Sequence, residues 1–160
     1  MQKPLHLLTD GLAWLGLISI GLASVITVID VALRQLLGSA VPGLVDLTQL
    51  AVMYSAFLGI AYAFFHRAHV SVTILTEGLS PNSNRILEAL WWLGGSGLTA
   101  VLAWASWGAA QRVISYGDVS QNIGIPMLWF WLPVVAGLSL SSLGSLWAAI
   151  DTLRGARKPA

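Results

Sequence analysis

Four apolar runs constrain this chain more than any other feature, because each reaches the roughly 20 residues that a helix needs to cross a hydrocarbon core of about 30 Å. They span residues 12–34, 44–65, 82–115 and 126–152. None alternates as a half-buried strand would. In lipid only helices and closed barrels satisfy their own backbone hydrogen bonds, so helices are expected. Composition points the same way, since 56% hydrophobic against 9% charged residues is more apolar surface than a soluble domain of 160 residues can bury. The expected fold is an all-α integral membrane protein with four transmembrane helices, forming one membrane domain over residues 1–160.

The connections refine this picture. Residues 35–43 contain Gly38, Ser39, Pro42 and Gly43, all turn formers, and residues 117–125 are equally short, so neither connection can hold a folded insert. The segment 66–85 intersperses Val70, Val72, Ile74, Leu75 and Leu79 with Ser, Thr and Glu77, the pattern of an amphipathic helix lying in the membrane plane. The first eleven residues suit a surface segment of at most one helical turn. The apolar run that follows is too long for a signal-peptide core and has no convincing cleavage site, so it is expected to stay as the first helix. With both termini on one side, that side holds Lys3, Arg67, Arg85, Arg154, Arg157 and Lys158, and the other only Arg34 and Arg112. Basic residues collect on the cytoplasmic side, which is where the termini are expected.

Much chemistry is excluded. Cysteine is absent, which removes disulfides, thiolate metal sites and thiol redox reactions. A net charge of +1 without a basic patch excludes nucleic acid. His6, His66 and His69 all fall at helix ends, and His66 and His69, three residues apart, have no third ligand nearby, so they read as interfacial hydrogen-bonding groups. No nucleophile and base stand together, so no enzyme activity and no cofactor is expected. The middle of each apolar run is nearly free of charge, which leaves no continuous ion path.

The remaining signals are structural. Asp30 precedes Arg34 by four residues, a spacing at which acid and base meet on one helical face. Asp46 stands in the first turn of the second helix, where the helix dipole favours an acid. The leading expectation is an ion pair between Arg34 and Asp46 that fixes helix one against helix two. Gly94, Gly95 and Gly97, and the stripe Gly137, Ser141 and Ser145, are expected helix-packing positions, because small residues let helices approach closely.

Read together, VALRQLL, VPGLVDLTQL, FLGIAYAFFHRAHVSVTIL and IGIPMLWFWLPVVAG resemble the small membrane subunit, DctQ type, of tripartite ATP-independent periplasmic (TRAP) transporters. The similarity runs from about Ile20 to Leu153, through the order and spacing of Arg34, Asp46, Gly59, His69 and Pro126. Members usually have glutamate where this chain has Asp46. The resemblance implies a multi-pass protein of the bacterial inner membrane, paired with a large DctM-type subunit that holds the substrate and sodium sites. A periplasmic binding protein would deliver an organic anion for symport. It also implies that Ser39, Pro42, Asp118, Gln121 and Asn122 form a periplasmic docking surface. The competing expectation is an autonomous homo-oligomeric channel or exporter, for which Thr48, Gln49 and Ser55 are the candidate pore-lining groups.

Overall fold

The computed structural model describes residues 2–66 and 81–154 of the chain. Four helices make up most of it: α1 Gln2–Leu37, α2 Leu44–Phe65, α3 Pro81–Tyr116 and α4 Leu128–Arg154. All four are long and apolar enough to cross a membrane, and the chain is a multi-pass membrane protein. The 36 residues of α3 extend about 54 Å at 1.5 Å per residue, well beyond a 30 Å core, so this helix tilts or projects. α1 runs unbroken from Gln2, which corrects the separate surface segment expected for the first eleven residues. Pro4 does not interrupt it, because the first-turn N–H groups of a helix have no intrahelical partner to lose. Residues 67–80 of the expected in-plane helix, with His69, lie outside the described residues, and Pro81 already belongs to α3.

Packing follows the small residues. α1 packs on α2, α2 on α4, and α4 on α3, giving an open row in the order α1–α2–α4–α3. α4 therefore sits inside the row. Half of its most apolar window is buried, against 11% for α1 at the edge. The closest approach is at Gly137, where a Cβ would lie 2.4 Å from the carbonyl oxygen of Phe57 on α2. Gly144 meets the Phe65 ring, Gly16 meets the Ser55 backbone, and Gly95 meets the Ser145 hydroxyl. Between α3 and α4, the hydroxyls of Ser96 and Ser142 donate reciprocally to the carbonyls of Ser142 and Ser96 at 3.0 and 3.1 Å. Such bonds satisfy polar groups inside an apolar slab, where leaving them unmade is costly.

α1 and α2 run antiparallel, as do α3 and α4, while the central pair α2 and α4 run parallel, so the molecule has a terminal end and a loop end. At the terminal end, His66 Nε2 lies 2.7 Å from Asp10 Oδ1, joining the C-terminus of α2 to α1. The Tyr62 ring stacks on that imidazole with centroids 4.0 Å apart. Arg85 Nε donates to the Thr152 carbonyl at 2.6 Å, tying α3 to α4.

Candidate functional site

At the loop end, each of two connections is held by one buried carboxylate. α1 terminates at Gly38, whose positive φ of 63° lets its N–H donate back to the Arg34 carbonyl at 3.2 Å. The chain then returns, and the Val41 N–H donates to Asp30 Oδ1 at 2.6 Å. The other oxygen, Oδ2, accepts from Arg34 Nε at 2.6 Å. Asp30 is buried while 58% of the Arg34 side chain is exposed, so the guanidinium reaches outward from its acid.

The second connection is built in the same manner from farther away. α3 ends in a Schellman motif, with Gly117 N–H donating to Ile114 O and Asp118 N–H to Val113 O, and Gly117 at φ 70°. Val119 and Pro126 then form an antiparallel bridge, with Ser120 N–H donating to Ile125 O at 2.8 Å and Met127 N–H to Asp118 O at 3.0 Å. Asp46, in the first turn of α2, enters this small hairpin. Its Oδ2 accepts from Ser120 Oγ at 2.6 Å, Ile123 N–H at 2.9 Å and Asn122 N–H at 3.1 Å, and its Oδ1 accepts from Asn122 Nδ2 at 3.1 Å. Ser120 Oγ in turn accepts the Ile125 N–H at 2.9 Å. Four donors and the positive end of α2 stabilise the buried charge without a cation.

The expected Arg34–Asp46 ion pair is therefore replaced by two separate anchors. Asp30 lies one turn before Arg34 on the same helix and captures it without any reach between helices. Asp46 is covered by residues 120–123. The loops meet at Gly43, the residue before α2: its φ is 74°, and a Cβ there would fall 2.4 Å from the Ile123 side chain. Glycine alone both adopts that backbone and leaves that space.

Ser39, Pro42, Asp118, Gln121 and Asn122 are all exposed at the loop end, and Asn122 is at once exposed and held by Asp46. At the opposite end His66 pairs with Asp10, a partner 56 residues away in sequence. Gly137 and Ser141 lie buried in the centre of the row, and Gly95 faces Ser145. Gly94 and Gly97 differ from this expectation: they are exposed, and a Cβ at either would meet nothing within 4 Å, because they point away from α4. Among the described residues no three His, Cys, Asp or Glu side chains stand close enough to hold a metal. Ser120 is the functional residue that sequence reasoning overlooked. The available signal was that the helical neighbours of Asp46, namely Pro42, Gly43, Gln49 and Leu50, offer no cation, so its partners had to be remote.

Residues 23–155 match the family described as "Tripartite ATP-independent periplasmic transporters, DctQ component". A curated protein of Haemophilus influenzae, named as a TRAP transporter small permease protein, is 25% identical over 144 residues, covering 89% of this chain and 88% of the relative.

Proposed function

The chain belongs to the DctQ family, the small membrane component of TRAP transporters, and from that premise we propose that it is the fixed scaffold of an organic-anion uptake system in the bacterial inner membrane. In this reading it pairs with a large DctM-type subunit that carries the substrate and sodium sites. Its termini face the cytoplasm. Its loop end faces the periplasm, and there Ser39, Pro42, Asp118, Gln121 and Asn122 contact the substrate-binding protein while the Asp30 and Asp46 anchors keep the two loops in register.

The placement of charge is the observation that carries this reading. Residues 11–29, 47–65, 89–111 and 128–150 contain no Asp, Glu, Lys or Arg. The buried acids are spent on shaping loops rather than on a path through the membrane. A chain with no Asp, Glu, Lys or Arg at membrane depth does not supply its own ion or substrate relay, so it serves a neighbour that does.

Reconstitution tests the proposal. The chain purified with the large subunit should take up substrate into liposomes when the binding protein is added, and the chain alone should transport nothing. Transport by the chain alone would support the homo-oligomeric channel instead.

A further inference from the structure

Between α1 and α2, toward the loop end, lies a groove of about 500 Å³ with Thr27 on one wall and Leu44, Val45, Gln49, Val52 and Met53 on the other. From Leu44 to Met53 it follows α2 for about 13 Å at 1.5 Å per residue. Its walls are almost wholly apolar, and the Thr27 hydroxyl is already spent on the Ala23 carbonyl at 2.8 Å. Arg34 stands over the upper end. Thr27 precedes it by seven residues, two turns along one helical face. The 2.6 Å bond from Arg34 Nε to Asp30 Oδ2 draws the guanidinium back by about a turn, toward Thr27. Among the described residues Arg34 makes no other side-chain hydrogen bond, so its Nη donors are left to an outside acceptor.

The height of that guanidinium decides what the acceptor is. Leu36 and Leu37 follow Arg34 toward the loop end and are 81% and 72% exposed, so apolar side chains still face outward beyond the charge. The guanidinium therefore sits in the headgroup layer rather than in open water. A soluble anion would meet the Nη donors and leave the groove below unfilled. A neutral hydrocarbon would fill the groove and leave the donors unmet, at a cost. A phospholipid answers both, because its phosphate stands directly above its acyl chains and accepts charge-assisted bonds from arginine. Gln49 adds an exposed amide, without a side-chain hydrogen bond among the described residues, which suits the ester carbonyl that joins phosphate to chain.

We infer that the α1–α2 groove is a binding site for one phospholipid, with its phosphate on the Arg34 Nη donors and one acyl chain laid between Thr27 and Met53. The inference rests on the membrane-spanning fold and is independent of the pairing and the orientation proposed above. Native mass spectrometry of the purified, delipidated chain tests it, with phosphatidylglycerol added back. One retained copy is expected. Diacylglycerol, which lacks the phosphate, and glycerol 3-phosphate, which lacks the chains, should not be retained at the same concentration. Arg34→Gln should weaken retention about tenfold, the scale of one lost hydrogen bond between charged groups. Arg112→Gln, at an exposed loop-end arginine that does not line the groove, should leave retention unchanged. Because Arg34→Gln also deprives Asp30 of its partner, Thr27→Phe gives a separate reading: it fills the groove from an exposed position, keeps the Asp30–Arg34 pair, and should weaken retention too. Equal retention of diacylglycerol, undiminished retention in Arg34→Gln or Thr27→Phe, or an equal loss in Arg112→Gln overturns the inference. In intact membranes, benzoylphenylalanine in place of Val52 should form adducts with phospholipid. Adducts to a protein instead would give the groove to another chain and overturn it as well.

Discussion

At the scale of single residues, two aspartates divide the work of one rim. Each lies in a helix within a turn or two of its loop end, and each accepts backbone N–H groups from a connection that has few other bonds to hold it. Asp46 is the more demanding of the two, since its donors come from residues 74 to 77 positions away. Replacing it with Ala would leave the Ser120 hydroxyl and the Asn122 and Ile123 amides without their acceptor. Hydrogen exchange at those two amides should then rise roughly tenfold or more, the equivalent of losing one hydrogen bond to a charged group. Wild-type exchange in that variant would rule out the anchor. Asp46→Asn should be milder, because its single carbonyl oxygen still accepts the backbone donors while its amide opposes the Asn122 Nδ2 donor. Adding Asn122→Asp should recover part of the loss by reversing that donor–acceptor pair, which the same exchange measurement would read.

At the scale of elements, glycines set how closely the helices pack, and only some of them do. Gly137 faces α2 backbone at a distance no side chain tolerates, so Gly137→Ala should cost about 1–3 kcal/mol through separation of α2 and α4. Gly94→Ala meets nothing within 4 Å and removes unfolded-state freedom, so the purified chain should be unchanged or gain about 0.4–1 kcal/mol. Thermal unfolding of the two variants in detergent compares them directly, and equal losses would contradict the row order. The pattern of small residues announced that close packing exists on α3 and α4. It could not assign Gly95 to an interface and Gly94 to the surface, because one helical position turns a residue by about 100° and the neighbour that decides the matter is a different helix.

At the scale of the whole molecule, the chain is a TRAP small subunit whose helices form an open slab rather than a closed bundle. Such a slab presents two broad faces, and one is grooved at the loop end. The absence of cysteine makes its orientation easy to probe. Single cysteines at Ser39 and Gln121 are expected to react with a membrane-impermeant thiol reagent added to intact spheroplasts, and one at Arg154 only after lysis. The reverse labelling would invert the proposed topology and remove the docking rim from the periplasm. By itself, the sequence determined what depends on local composition: four helices, short connections at one end, and charges confined to helix ends, since apolar length and hydrogen-bond satisfaction in lipid leave few alternatives. It also brought Asp30 and Arg34 within reach of each other, because a spacing of four is a local matter. Only the tertiary structure decided that α4 lies between α2 and α3, that Asp46 belongs to Ser120, Asn122 and Ile123 rather than to Arg34, and that His66 meets Asp10. Those pairings join helices whose order in the row is set by where small residues let backbones touch, and that order is a property of the packed chain rather than of any one segment.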